Sequence, residues 1–209
     1  MIVDSEVLSN HLIAEAITRL GHPMTTQEAV DRYIGRHWGD TLAAIERDIG
    51  RPLPPNFKRK VDEAFRLRVE EAGPVAGVEA FLDSVAGVPK AVASSSATAW
   101  LRSALGRLGL AHHFGDRLYS TAEHVSRGKP APDIYLHAAE ALAVEPGETL
   151  VIEDTAPGVT AACAAGMTVV GLCAGRHCGA GYGGRLRSAG ASHVVRAYSE
   201  VFDIIGFDR

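Results

Sequence analysis

The chain has 209 residues, a formal net charge of −4, and 46% apolar and 22% charged residues. Those globular proportions exclude disorder and a continuous coiled coil, and the acidic balance excludes a protein that grips nucleic acid or an anionic membrane through a basic surface. The three cysteines (Cys163, Cys173, Cys178) make no disulfide framework, and no apolar run reaches the roughly 18 residues of a membrane span. Asp4 and Glu6, ahead of any apolar stretch, read against a signal or transit peptide. We therefore expect a cytoplasmic protein, a monomer or weak dimer, made of one ordinary domain or a core with a small insert.

The first third reads as helices only. Between His11 and Leu20, the residues Leu12, Ile13, Ala16, Ile17 and Leu20 form one apolar stripe closed by Gly21 and Pro23. Thr25 with Glu28 three residues on has the form of a capping box, opening a helix that Gly35 stops. A further helix is predicted from about Thr41 to Ile49. Another follows Pro54-Pro55, with Phe57, Val61, Phe65 and Val69 at four-residue steps.

After Gly73-Pro74 the pattern changes. Helices through Val78–Val85, Trp100–Leu108, Asp133–Leu142 and Pro157–Ala165 alternate with short apolar runs at Lys90–Ser94, Leu118–Ser120, Thr149–Glu153, Thr168–Leu172 and His193–Arg196. Strands apolar on both faces, separated by helices, predict a parallel sheet covered on two sides. The fold expected is thus α/β from about residue 74 onward, with an all-helical insert before it.

In such a sheet, ligands bind beyond the carboxyl ends of the strands. The run ending at Ala93 delivers Ser94, Ser95 and Ser96 to a helix start, where hydroxyls and N–H groups suit a phosphate oxygen or simply cap the helix. The run ending at Ile152 delivers Glu153 and Asp154, adjacent carboxylates that suit Mg²⁺ or an acidic helix start. Between them, Arg127-Gly128-Lys129-Pro130-Ala131-Pro132-Asp133 is a stiff loop that would display Lys129 as a point charge, or leave it solvated.

Taken together, SSS after a strand, GKPAPDIY, and VIEDTAPGVTAACAAGM after a strand resemble the haloacid dehalogenase superfamily of phosphohydrolases, in the phosphoglycolate phosphatase and β-phosphoglucomutase branch. The resemblance covers the whole chain. It implies a Rossmann-like parallel core formed by residues 1–4 and 74–209, with residues 5–73 inserted as a helical cap. It further implies that Ser94 and Ser95 bind the phosphoryl group of a small phosphorylated metabolite, that Lys129 neutralises it, and that Glu153 and Asp154 hold Mg²⁺.

The family's first motif, D-x-D-G-[VT]-[LI]-x-D-[ST], carries the nucleophilic aspartate that becomes an aspartyl-phosphate and the aspartate that serves as general acid and base. Met1-Ile2-Val3-Asp4-Ser5 matches only the tail of that motif, and Asp4 is no substitute. Either the start is misplaced or phosphatase chemistry has been lost; the presence of every other site residue favours the first. The family's first strand lies between the strands ending at Ser94 and Glu153. Without it these must pair directly or leave open edges, so we expect the 209-residue form to be unstable and inactive toward p-nitrophenyl phosphate. The rival reading is a non-catalytic remnant that binds a phosphorylated ligand or a protein partner.

Within the cap, Tyr33–Trp38 resembles the family's substrate-facing loop. There Arg36 could meet an anionic leaving group, His37 stands between, and Trp38 could exclude water, unless they are ordinary surface and packing. The branch's mutases carry a His and an Arg where this chain has Ser9 and Trp38, which argues for hydrolysis over a phosphoglucomutase-like transfer. The Glu153-Asp154 pair argues against a metal-free dehalogenase. Three other signals are discounted: Gly179–Gly184 fits G-x-G-x-x-G but lacks the strand and full helix of a dinucleotide site, Cys173, His177 and Cys178 lack a second pair for zinc, and His112-His113 reads as a surface turn.

Overall fold

The computed structural model describes residues 1–206. The helices α1 (Glu6–Arg19), α2 (Thr26–Tyr33), α3 (Trp38–Ile49) and α4 (Phe57–Arg68) come first. They are followed by α5 (Val78–Ser84), β1 (Val92–Ser94), α6 (Thr98–Arg107), β2 (Leu118–Ser120), α7 (Thr121–His124) and α8 (Asp133–Leu142). The last elements are β3 (Leu150–Glu153), α9 (Ala156–Ala164), β4 (Thr168–Leu172), α10 (Tyr182–Ser188), β5 (His193–Val195) and α11 (Ser199–Ile205).

The helical third packs around one apolar cluster that includes Leu12, Ile17, Tyr33, Ile45, Phe57 and Val61. Helix α1 begins earlier than its stripe suggested, because Leu8 extends the buried face by one turn. The capping box of α2 is present: the Glu28 amide donates to Thr25 Oγ1 at 3.2 Å, and the Thr25 amide donates to Glu28 Oε2 at 2.8 Å. Helix α3 also starts before its expected position, since the His37 ring caps it by accepting from the Gly39 amide at 3.2 Å. An imidazole is not a usual capping group, so the sequence carried no start signal there.

The second part is an α/β assembly of parallel strands. β1 pairs with β2, and β3, β4 and β5 form a second sheet. Val169 and Val170 in β4 have no exposed surface, as strands covered on both faces require. The short α7 and α11 escaped sequence reading; α11 is held by Val201, fully buried, and by Phe202, whose tilted ring is centred 5.5 Å from that of Phe81.

The two sheets do not hydrogen-bond to each other. β1 and β3 instead face one another across a cavity of about 610 Å³ lined by residues 88–96 and 148–155. Leu82 and Leu101 from α5 and α6, and Tyr135 and Ala138 from α8, also line it. Of the two outcomes expected for these strands, the open edges are the one adopted. At the carboxyl ends of the strands, residues 1–4 lie across the opening. Val3 bridges Pro74, the Val75 amide donates to the Ile2 carbonyl at 2.9 Å, and the Asp4 amide donates to Gly73 at 2.9 Å. The segments leading into and out of the helical third are thereby held side by side.

The turn at His112-His113 is a short 3₁₀ segment, Ala111–His113, as a turn was expected. It is a surface feature only in part, for His113 is buried against Phe114. Among the described residues, no helix is long and apolar enough to cross a membrane. Replacing Thr25 with Ala removes the α2 cap and should cost about 1 kcal/mol in a urea unfolding series, with no change in far-ultraviolet circular dichroism of the folded state.

Candidate active site

Ser94 ends β1 with its hydroxyl turned to the loop, accepting from the Ser96 amide at 3.1 Å. Ser94 and Ser95 are half-buried, and both line the cavity between β1 and β3. The loop after α7 is braced by Arg127, whose Nε and terminal nitrogen donate to Asp133 at 2.9 and 2.7 Å. Lys129 is not displayed outward from this loop as the prolines suggested. It turns inward and is 5% exposed. Its ammonium donates to Glu153 Oε1 at 2.5 Å and to the Ala93 carbonyl at 3.2 Å, and lies 4.9 Å from the centre of the Tyr135 ring. One side chain thus ties the end of β1 to the end of β3.

Glu153 is saturated with donors. Oε1 also accepts from the Tyr135 hydroxyl at 3.0 Å. Oε2 accepts from the amides of Asp154 and Thr155 at 2.8 and 2.9 Å, and from Thr155 Oγ1 at 3.0 Å. Burial opposes its ionisation, but the Lys129 charge and hydrogen bond and the Thr155 amide outweigh that and hold the carboxyl at about 2. Gly158 makes this arrangement possible: a Cβ there would meet the Glu153 carboxyl carbon at 2.1 Å.

Asp154 is placed differently. Its Oδ2 accepts from the Met1 ammonium at 3.0 Å, and its side chain is 9% exposed. His177, almost wholly buried, lies 3.7 Å from the same oxygen and 3.3 Å from the Asp154 carbonyl. Burial followed by the Asp154 charge pushes the carboxyl of Glu6 upward. Burial lowers the Met1 amine, but the charge of Asp154 more than compensates and raises it. The two neighbouring acids therefore have distinct surroundings: Glu153 is an internal clamp on Lys129, whereas Asp154 lies beside Met1 and His177 and lines the cavity.

Ser94, Ser95, Lys129, Glu153 and Asp154 line one cavity. Arg36, His37 and Trp38 do not line it. Arg36 faces a separate cavity of about 720 Å³ between the helical third and α10. His37 caps α3 and presses on Gly128, and Trp38 packs in the helical cluster with the Lys58 ammonium 5.5 Å from its ring centre. The loop does reach the site through Gly35, whose missing Cβ would stand 2.6 Å from Thr155 Cβ. Asp4 engages Arg176, which donates through Nε at 2.7 Å.

Sequence reading missed Tyr135, Glu6 and His177 as neighbours of the acidic pair. Tyr135 was within reach, being the last residue of the GKPAPDIY word. His177 carried no local signal, since it arrives by a loop that folds back on Gly175, where a Cβ would clash with the ring at 2.7 Å.

The family described as haloacid dehalogenase-like hydrolase matches residues 1–172. The chain is 31% identical over 170 residues to a fructose-1-phosphate phosphatase of Escherichia coli K12, spanning 81% of this chain and 89% of that one. It is 26% identical over 178 residues to a 6-phosphogluconate phosphatase of the same organism, spanning 84% and 80%. The crystal structure of a haloacid dehalogenase-like protein of unknown function from Agrobacterium tumefaciens superposes with a TM-score of 0.85 at 30% identity, covering 98% of this chain and 93% of that one.

Replacing Lys129 with Met strands the Glu153 charge and should destabilise the fold by about 3–5 kcal/mol at pH 7. Adding Glu153→Gln should restore most of that loss. Because the folded Glu153 carboxyl sits at about 2, below its ordinary value of 4.5, its contribution in the natural chain is complete above that value and disappears as pH falls toward 2. Without Lys129, burial favours the neutral acid, so the deficit of the single variant should shrink between pH 7 and pH 4 in denaturant titrations.

Proposed function

The chain belongs to the haloacid dehalogenase-like hydrolase family, and from that premise we propose that the cavity between β1 and β3 receives the phosphoryl group of a small phosphomonoester for hydrolysis. The observation that carries this reading is the buried ammonium of Lys129, held between the Ala93 carbonyl and Glu153 beside Asp154, Ser94 and Ser95. A fixed positive charge, hydroxyls and a carboxylate meet at the carboxyl ends of parallel strands, the position where α/β sheets take ligands. The sugar-phosphate phosphatases among the relatives support a phosphorylated sugar or sugar acid as the substrate class. In this reading, residues 5–73 act as a cap on a core of residues 1–4 and 74–209, and the protein works in the cytoplasm.

Each residue has a physical task. Ser94 and Ser95 orient phosphoryl oxygens through hydroxyls and amides at a helix start. Lys129 supplies positive charge that needs no reorganisation, because Glu153 and Ala93 already fix it. Asp154 suits Mg²⁺ by its chemistry, since it is a hard carboxylate oxygen donor lining the same cavity as Ser94 and Ser95. Asp154 would hold the ion, with Glu153 positioning Lys129 rather than ligating. When bound, Mg²⁺ would offset charge on the phosphoryl oxygens.

The attacking carboxylate of this chemistry belongs to D-x-D-G, a pattern these 209 residues do not contain. We infer that this form binds a phosphomonoester without turning it over. Calorimetry should detect fructose 1-phosphate binding in the presence of Mg²⁺, weakened about tenfold by Ser94→Ala and made insensitive to Mg²⁺ by Asp154→Asn. Joining a strand that ends in D-x-D-G ahead of Met1 should produce Mg²⁺-dependent phosphate release. Turnover by the 209-residue form would refute its inactivity. Absence of both binding and gained turnover would refute the phosphatase reading, and isomerisation of a sugar phosphate would favour phosphotransfer.

A further inference from the structure

We propose that Asp83, His112 and His113 form a binding site for a divalent transition-metal ion of the zinc class. Asp83 lies in the last turn of α5, and the two histidines lie in the 3₁₀ turn between α6 and β2. These segments lead into the amino ends of β1 and β2, whereas Ser94, Lys129 and Asp154 stand at the carboxyl ends. The site therefore shares no residue with the phosphate cavity's polar end.

One ligand-type atom from each of the three residues lies within 4.8 Å of the other two. That spacing alone would not make a site. The second observation is His113 itself: its side chain is 4% exposed, and its buried Nε2 has no hydrogen-bond partner among the described residues. This nitrogen points toward Asp83, 3.5 Å from Oδ1, beyond good hydrogen-bonding distance. A buried imidazole nitrogen without a partner is costly, and a metal ion is one way to satisfy it.

The tautomers fit the same role. His112 Nδ1 is 2.9 Å from the Gly109 carbonyl, and a carbonyl oxygen only accepts, so Nδ1 carries the proton and Nε2 the lone pair. A backbone carbonyl on the far nitrogen is the usual way a ligating histidine is oriented. The two ring centres lie only 3.9 Å apart, with the rings tilted by 38°.

Two imidazoles and one carboxylate favour Zn²⁺, Ni²⁺ or Cu²⁺ over Mg²⁺, which prefers oxygen ligands. Three protein ligands leave a fourth position for water. Asp83 and His112 are exposed, so an ion can enter from solvent. Once bound, it would pin the end of α5 to the turn before β2, two segments otherwise joined here through the apolar contacts of Phe81, Leu82 and Phe114 in one cluster.

The test is a Zn²⁺ titration of the untagged 209-residue chain with nitrogen-15 detection of its nine histidine rings. The proposal expects the His112 and His113 signals to shift at low Zn²⁺, with excess Mg²⁺ not competing. Calorimetry should find Asp83→Asn and His112→Ala each weakening Zn²⁺ binding at least tenfold, both variants retaining the natural circular dichroism spectrum. Shifts confined to His177 beside Cys178, unshifted His112 and His113 rings, or affinity unchanged in both variants would overturn it. The ring signals are read on the natural chain, so a variant that fails to fold does not rescue the idea.

Discussion

The arrangement of the site depends on one buried ion pair that spans two strands not bonded to each other. Lys129 and Glu153 are both withdrawn from water, and their mutual attraction in a medium of low polarity must offset the loss of hydration of both charges. It can do so because neither is left short of partners: Glu153 takes donors from Tyr135, Thr155 and the Asp154 amide, and Lys129 takes the Ala93 carbonyl as well. The pair fixes positive charge at the end of β1 and negative charge at the end of β3. It also determines what Asp154 can do, because the neighbouring carboxylate is already committed.

The gap between β1 and β3 gives this pair its importance. Two parallel edges, covered by helices on either face, leave backbone groups facing a largely apolar cavity rather than a neighbouring strand. At the carboxyl ends the space is bridged by Lys129 and overlaid by residues 1–4, whose hydrogen bonds to residues 73–75 also gather the two crossings into the helical third. The helical third rests on the α/β part through close contacts that only glycine permits. Gly35 meets Thr155 directly, and Gly128 accommodates His37, while Arg185 on α10 reaches Asp31 on α2 at 2.7 Å. A shift of the strand-end loop holding Glu153, Asp154 and Thr155 would therefore be felt in the helices above.

Charge and burial divide work that the sequence leaves shared. Glu153 and Asp154 are adjacent and chemically alike, so alternation along β3 distinguishes them only as neighbours. Glu153 bends under the start of α9 because Gly158 has no side chain to obstruct it. Asp154 remains at the opening, where Met1, Glu6 and His177 come from distant parts of the chain. His113 is a parallel case: its neighbour His112 is exposed, and only the packing of α5 and Phe114 against the turn buries the second ring.

What the sequence determined by itself was local. Apolar stripes at helical spacing, the Thr25–Glu28 box, runs of Val and Ile bounded by turn residues, and the serine, lysine and acidic words at strand ends set the elements and singled out residues that line one cavity. β2, α8 and β4 run between the residues their patterns indicated. Only tertiary structure decided that β1 and β3 stand apart, that Lys129 turns inward, that Glu153 is a clamp while Asp154 faces the opening, and that Arg36 borders another cavity. Periodicity records which face of an element avoids water. It cannot record which distant charge supplies the compensating partner, because that depends on desolvation and hydrogen bonding among groups that meet only after the chain has folded.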